Sequence, residues 1–289
     1  MVTLPLELEQ KLGIAIERMP AFPKSVQKIL ELTRNINCLP KDIVAVIEKD
    51  PVMTVKILKV INSAFYSLPN KITSVGQAVV YLGINTIKNL SLGFAAVGIF
   101  PRFNTAGFDI QRYLLHSLVV ASIARQLATQ SAKGEADPAD CYIAGLLHDF
   151  GKVVFAQFMA DEFRAAMTHA LENNMHLHEA EIQVIGTDHA FVGAMLTKRW
   201  QFAEELVQCI HDHHRSEAEP SAILDCLRTA NQIARKLELG DSGHIWHTGE
   251  LAAAPHRFGD DLDKTIVSLG DIQRFIDDAQ MFAQVSTDT

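Results

Sequence analysis

Cysteines are few and widely separated in this sequence. Four occur among 289 residues, and no two of them form a C-x-x-C pair. Isolated thiols of this kind suit a reducing compartment, where each behaves as a small apolar side chain. They are Cys38, Cys141, Cys209 and Cys226. Their spacing therefore favours a cytoplasmic protein.

The sequence also lacks the patterns of a membrane span and of a signal peptide. The most apolar run, 90-LSLGFAAVGIF-100, is well short of the roughly 20 residues that cross a bilayer. Near the start of the chain, Glu7, Glu9 and Glu17 interrupt the apolar core that a signal peptide needs. We therefore expect a soluble, cytoplasmic protein with no membrane partner.

Positive charge is scarce relative to negative charge. Lysine and arginine number 26 against 34 aspartates and glutamates, so the net charge is −8. A protein that coats nucleic acid needs a basic face to neutralise phosphates. The composition therefore argues against general nucleic-acid binding, although it leaves a local basic patch open. The hydrophobic share of 48% and the charged share of 21% are those of an ordinary globular protein.

Helical periodicity runs along the chain, and no convincing alternating strand pattern accompanies it. Proline, glycine and asparagine interrupt this periodicity in 101-PRFNTAGFD-109, which predicts a boundary there. The sequence therefore predicts an all-α fold with two helical lobes, over 1–108 and 109–289. The expected helices cover 24–34, 41–50, 52–66, 75–83, 85–100, 110–130, a run through residue 148, 160–173, 176–185, 188–200, 203–214, 220–239 and 262–285, with an irregular loop over 240–260.

The stretch 145-GLLHDFGKVVFAQF-158 places a histidine beside an aspartate in an otherwise apolar, helix-like run. Charged residues are seldom buried without a partner. Other histidines occur at His116 within a predicted helix, at His189 and in 211-HDHH-214, while Asn231 lies in a later helix. Nitrogen and oxygen ligands on separate helices hold Mn, Fe, Zn or Mg in helical bundles. Such a metal would bring the pKa of a bound water toward neutrality.

The same residues also permit a purely structural interpretation. His116 could be a hydrogen-bonded core residue, and the His148-Asp149 pair could bond only to neighbouring backbone. In the metal interpretation, Lys152 follows His148 by four residues, so both would share a helical face and the lysine could contact a substrate phosphate. No pattern predicts a role for His169, His176 or His178.

With these residues in view, the sequence resembles the HD superfamily of metal-dependent phosphohydrolases, whose outline is H…HD…D. It is more closely similar to the HDOD proteins, the HD-related output domains of bacterial signalling. The likeness covers nearly the whole chain. It rests on the blocks 20-PAFPKSVQKILEL-32, 48-EKDPVMTVKILKVINSAFYSLP-69, 75-VGQAVVYLGINTIKNLSL-92, 116-HSLVVASIARQLA-128, 143-IAGLLHDFGKVVF-155 and 188-DHAFVGAMLTKRW-200. It implies that the second lobe is an HD-like helical bundle.

The resemblance also implies a set of metal ligands. The matched positions are His116 for the first metal histidine, His148 and Asp149 for the HD pair, His189, His213 and His214 for the additional histidines of the related HD-GYP phosphodiesterases, and Lys152 for the lysine after their HD pair. Asn231 takes the place of the closing aspartate, as is usual for HDOD proteins.

Three departures from the enzymes of the superfamily bear on activity. Asn231 supplies only a neutral oxygen, so it offsets less metal charge than an aspartate. Arg112, one turn before His116, brings positive charge to a position where HD-GYP enzymes can have a glutamate ligand. After His214 the sequence continues 215-RSEAEPS-221, without the Gly-Tyr-Pro signature.

These features imply a bacterial signal-transduction or regulatory output module with a partly degenerate metal site and little or no catalysis. The alternative is a metal-dependent phosphohydrolase acting on a nucleotide or phosphate ester. In the regulatory interpretation the partner is another signalling protein or a small nucleotide-like ligand. The sequence leaves the metal open among Fe, Mn, Zn and Mg, and it does not fix the oligomeric state.

Overall fold

The structure, a computed structural model, is all-α throughout the residues that it describes. These are 4–34, 38–62, 70–98, 104–130, 134–241, 243, 256–259, 261–273, 275–277 and 279–280. Within them there are fifteen bounded α-helices, further helical residues at 272–273, 275–277 and 279–280, and no strand. The predicted all-α fold is therefore confirmed. None of the described helices is both long and apolar enough to span a membrane.

The chain divides into two compact units, Ala21–Ile99 with Asp277–Thr289, and Met1–Pro20 with Phe100–Ile276. The first contains α2 (Lys24–Arg34), α3 (Pro40–Glu48), α4 (Pro51–Ile61), α5 (Val75–Leu82) and α6 (Ile84–Val97). The second contains α1 (Leu6–Arg18), α7 (Ile110–Gln130), α8 (Pro138–Leu147), α9 (Phe150–Phe158), α10 (Ala160–Asn173), α11 (Leu177–Val184), α12 (His189–Arg199), α13 (Glu204–Asp212), α14 (Ala222–Lys236), a short 3-10 helix (His256–Phe258) and α15 (Leu262–Ser268).

Helix α1 belongs to the unit that contains the histidines, whereas the predicted division placed residues 1–108 together in one lobe. Backbone carbonyls at the end of α1 explain the difference. The Arg199 guanidinium donates to the carbonyls of Glu17 and Met19 at 2.9 and 2.8 Å, and the Trp200 indole donates to that of Pro20 at 3.1 Å.

Several helices begin where the sequence supplies a cap. The side chains of Asp50, Ser74, Asp188 and Ser221 each accept a backbone N–H from the first turn of the following helix. Each such cap satisfies one of the donors that a helix start leaves without an intrahelical acceptor. The cap at Asp188 fixes the start of α12, which begins with His189.

Helix α7 is the centre of the unit that contains the histidines. It packs against α8 and α14. Most of its 21 residues are buried, and the buried side chains lie on every face of the helix. Close approach of α8 depends on Gly145, because a Cβ there would lie 2.5 Å from the Ala121 Cα. This contact sets the distance between a histidine in α7 and one at the end of α8.

Two predicted helices are wrong in extent. The run through residue 148 is broken: α8 ends at Leu147 and α9 begins at Phe150, because Asp149 leaves the helical conformation with φ −96° and ψ 8°. The last predicted helix, over 262–285, is interrupted: α15 ends at Ser268, Gly270 adopts a φ of 80°, which ends a helix, and residues 272–273, 275–277 and 279–280 are helical again. Residues 63–66 of the third predicted helix, residues 281–285 of the last one and most of the 240–260 loop lie outside the described residues.

Candidate metal centre

Four helix ends and one helix interior bring these predicted ligands together. His116 lies within α7, His148 follows the last residue of α8, and Asp149 immediately precedes α9. His189 is the first residue of α12, and His213 with His214 follows α13. Because α9 packs on α12 and α12 packs on α13, residues far apart in sequence share one buried region.

The ligand atoms fall into two groups that share Asp149. His116, His148 and Asp149 form one group, and Asp149, His189, His213 and His214 form the other; within each group the ligand atoms lie within 4.8 Å of one another. The Asp149 carboxylate lies 3.3 Å from His148 Nε2, 3.0 Å from His189 Nε2 and 3.5 Å from His213 Nε2. The arrangement can therefore present nitrogen atoms on more than one side of a single carboxylate.

Three histidines bond to backbone carbonyls through Nδ1, and this leaves the other ring nitrogen, Nε2, facing this region. The Nδ1 atoms of His116, His148 and His213 lie 3.3, 2.8 and 2.7 Å from the backbone carbonyls of residues 239, 145 and 210. A carbonyl only accepts, so each Nδ1 carries the proton, and a neutral ring then has its lone pair at Nε2. Metal-ligating histidines are held by this kind of bond.

Several atoms of the two groups have no hydrogen-bond partner among the described residues. They are the Nε2 atoms of His116, His148 and His213, all of them buried. Buried polar atoms are almost always hydrogen-bonded. Several unpaired nitrogen atoms that converge on one region therefore indicate a bound group that accepts their lone pairs. The donor set thus fits a divalent cation.

Burial keeps most of the histidines neutral. It lowers the pKa of His116 to about 3 and that of His213 to about 4, and it holds the pKa of His214 well below the ordinary value. Burial would raise the pKa of Asp149, but attraction to His148, Lys152 and His189 outweighs it and holds that pKa well below its ordinary value. The centre therefore offers neutral imidazoles around one carboxylate anion.

His189 is the exception among these rings. Burial would lower its pKa, but the Glu181 carboxylate outweighs that effect, and the pKa is raised to about 8. The protonated ring lies between two carboxylates, with Nδ1 2.6 Å from Glu181 Oε2 and Nε2 3.0 Å from Asp149 Oδ1. To act as a ligand it must give up the proton on Nε2.

Lys152 contacts Asp149 rather than sharing a helical face with His148. The helix break at residue 149 makes Lys152 part of α9, where its ammonium donates to Asp149 Oδ2 at 2.7 Å. The lysine side chain is fully buried. Burial lowers its pKa, against the opposing attraction of Asp149. The expected contact with a substrate phosphate stays a prediction.

The two residues that depart from the family pattern lie in different surroundings. Asn231 lies in α14, is 7% exposed, and has a buried Oδ1 without a hydrogen-bond partner in the described part of the chain. Arg112 is exposed and forms an ion pair with Asp241 at 3.4 Å. Gly240 comes so close to α7 that a Cβ would lie 2.5 Å from the His116 backbone nitrogen.

Sequence reasoning missed two residues of this region, Glu181 and His178. Glu181 contacts His189, and the His178 ring lies parallel to that of His214 with centroids 4.1 Å apart. One signal could have identified Glu181. It lies four residues after Leu177 and four before Ile185, so a carboxylate falls on the apolar face of α11.

Comparison with known proteins identifies the family of this chain. The HDOD domain family model matches residues 19–216. An uncharacterised protein of Treponema pallidum is 26% identical over 240 residues, which are 82% of this chain and 46% of that protein, so this chain spans about half of its length.

Two solved structures share the fold. An HDOD domain protein of unknown function from Geobacter sulfurreducens has a TM-score of 0.74 and 27% identity, covering 93% of this chain and 99% of its own. A Marinobacter aquaeolei protein, named "Putative signal transduction protein", has a TM-score of 0.77 and 23% identity over 99% of this chain and 67% of its own. The predicted resemblance is confirmed, and the chain belongs to the HDOD domain family.

Proposed function

We propose that this chain is a signal-transduction output module whose HD-type centre binds a divalent metal and catalyses little or no hydrolysis. The observation that carries the proposal is the convergence on the Asp149 carboxylate of three buried Nε2 atoms without a hydrogen-bond partner, those of His116, His148 and His213. A core that used these residues only for packing would leave three imidazole nitrogens unsatisfied, at a cost of about 1–3 kcal/mol each.

The ligand set supports two overlapping ion positions. One would be held by His116, His148 and Asp149, and the other by Asp149, His189, His213 and His214. Imidazole nitrogen suits Fe, Mn and Zn, whereas Mg prefers a shell of oxygen ligands. We therefore favour Fe, Mn or Zn. When bound, such an ion supplies a Lewis acid and a water of lowered pKa.

The metal ligands carry little negative charge, and this supports a regulatory role. Asp149 is the one carboxylate shared by both positions, and the Lys152 ammonium lies 2.7 Å from it. Asn231 contributes no charge. Apart from His214, which is partly exposed, the ligand side chains are also nearly or fully buried, which limits the access of a phosphate ester to them. The partner in this proposal is another signalling protein or a small nucleotide-like ligand.

The second candidate function is a metal-dependent phosphohydrolase acting on a nucleotide or phosphate ester. The neutral histidines around Asp149 favour it, since they match the ligand types of hydrolytic metal centres. In this case Lys152 would hold the substrate phosphate. Either activity requires a filled metal position, so metal content is the shared first test.

Protein purified without chelator is expected to retain Fe, Mn or Zn, as measured by elemental analysis, yet to hydrolyse substrates far more slowly than the roughly 1–10³ per second of typical enzymes. The assay screens nucleotides, cyclic dinucleotides and a chromogenic phosphodiester with Mn, Fe, Mg or Zn added. Turnover in the enzymatic range, lost on replacing Asp149 with Asn, would overturn the regulatory proposal in favour of the hydrolase.

Replacing Asn231 with Asp is expected to tighten metal binding by about 1–3 kcal/mol, because a carboxylate that reaches the ion offsets charge that an amide cannot. Isothermal titration with Mn²⁺ measures the change. The matched control is Asn173→Asp on α10, whose exposed amide bonds to His169. Equal affinity in the Asn231 variant and this control would show that residue 231 does not reach the ion.

A further inference from the structure

We infer that helix α11 positions the second group of ligands: Glu181 orients His189, His178 supports His214, and together they determine whether the position formed with Asp149 and His213 takes an ion. This inference rests on the proposed function, because it assigns a role toward the same centre. Neither residue lies in the sequence blocks that carry the family resemblance.

Glu181 fixes the His189 ring through two bonds to one oxygen. Its Oε2 accepts the backbone N–H of His189 at 2.8 Å and the ring Nδ1–H at 2.6 Å. Because one bond fixes the backbone and the other fixes the ring, the imidazole cannot rotate without breaking the second bond. The remaining nitrogen, Nε2, then lies 3.0 Å from Asp149 Oδ1 and 3.0 Å from His214 Nε2.

His178 acts on the neighbouring ligand from the same helix. It precedes Glu181 by three residues, so the two side chains share one face of α11. Its ring is stacked on that of His214, with an interplanar angle of 6°, while the His213 ring lies 4.0 Å from His214 by centroids. The rings of His178 and His213 therefore both contact His214, and the His189 ring is nearly perpendicular to it.

A merely structural role explains these contacts less well. Glu181 is completely buried, and its Oε1 has no hydrogen-bond partner among the described residues. A buried carboxylate is costly, and a structural tie between α11 and α12 needs only a neutral acceptor. Carboxylates that bond to the second nitrogen of a metal-bound histidine fix its tautomer and raise its basicity, and losing one typically weakens metal binding 10–100-fold.

The test compares Mn²⁺ binding in the full chain and its variants by equilibrium dialysis, with electron paramagnetic resonance to detect spin coupling between neighbouring ions. Wild type is expected to take two coupled ions. Glu181→Ala should keep one ion at wild-type affinity and weaken the other about 10–100-fold, with loss of the coupled signal. Glu181→Gln should restore part of that affinity, because its amide oxygen can accept both bonds but carries no charge to raise the basicity of His189.

Variants of His178 give a second route that does not depend on tolerance of Glu181→Ala. His178→Ala should weaken the same ion roughly 2–10-fold, the worth of one ring stack, whereas His178→Phe keeps the stack and should bind as wild type. Glu179→Gln, on the exposed side of the same helix, is the matched control and should also bind as wild type.

A readout without metal separates positioning from coordination. In metal-free protein with labelled histidines, the His189 Nδ1–H should give a slowly exchanging proton resonance that Glu181→Ala removes. Two-ion binding with wild-type affinity in both Glu181→Ala and His178→Ala would overturn the inference and leave the proposed function standing. A wild-type protein that takes no Mn²⁺ would overturn both.

Discussion

Replacing Asp149 with Asn is expected to yield a folded, helical protein that no longer retains a divalent metal. Asp149 is the one ligand common to both groups, and its oxygens lie 3.0–3.5 Å from the Nε2 atoms of three histidines. An amide of the same shape keeps an oxygen there but removes the only negative charge shared by the two positions. Elemental analysis of the purified variant should therefore show loss of metal from both.

The same change affects stability through Lys152. Its fully buried ammonium would lose the carboxylate that now lies 2.7 Å away. Removing one partner of a buried ion pair costs about 3–5 kcal/mol, because the remaining charge stays uncompensated. The double variant Asp149→Asn with Lys152→Met removes both charges, so urea denaturation should show that it recovers much of that loss while still lacking metal.

Asp161→Asn is the matched control for the Asp149 variant. Its side chain is 89% exposed and forms an ion pair with Arg164, so metal content and stability should stay close to wild type. Metal retained at the wild-type level by the Asp149 variant would show that the histidines bind without the carboxylate, and would contradict the two-position centre.

The helices were predictable where the local pattern is uninterrupted. The span 110–130 is predicted with the same bounds as α7, and 160–173 with those of α10, because each is apolar at helical spacing and flanked by residues that favour turns. The break at Asp149 was not predictable in this way. Its side chain makes no cap bond to the α9 backbone; it contacts Lys152 in the first turn of α9 and, as tertiary partners, His189 and His213.

The centre shows a similar division between local and tertiary information. The family outline named the histidines because their residue types and order survive in the sequence. The family outline does not include Glu181, and its bonds to His189 depend on the conformation of the turn between α11 and α12. Likewise, no spacing rule reveals that Leu239 supplies the carbonyl for His116, 123 residues earlier.

Gly151 is expected to be the most sensitive glycine of the centre. It lies in the first turn of α9, and a Cβ at this position would lie 2.0 Å from the His189 carbonyl oxygen and 2.9 Å from the Gly193 nitrogen. Both contacts are backbone atoms of α12, so no side-chain rotation can relieve them. Gly151→Ala must push α9 and α12 apart, and overpacking typically costs about 1–3 kcal/mol, with contacts to rigid backbone at the upper end of that range.

The displacement should also reach the metal. Asp149 lies two residues before Gly151, and its contact with His189 Nε2 crosses the same interface between α9 and α12. Relieving a 2.0 Å contact needs a larger separation of these helices than a few tenths of an ångström, and this lengthens the Asp149–His189 contact in every molecule that still folds. Gly151→Ala should therefore lower metal content as well as the urea midpoint.

Gly13→Ala is the matched comparison, because it makes the same change inside a helix where a Cβ would meet nothing within 4 Å. Alanine is favoured over glycine in a helix interior by about 0.5–1 kcal/mol, so this variant should be more stable than wild type and keep its metal. If Gly151→Ala lowers the free energy of unfolding while Gly13→Ala raises it, the loss of stability at residue 151 is due to the close packing of α9 on α12. A Gly151 variant with the stability and metal content of wild type would instead show that the two helices do not approach as closely as the site geometry requires.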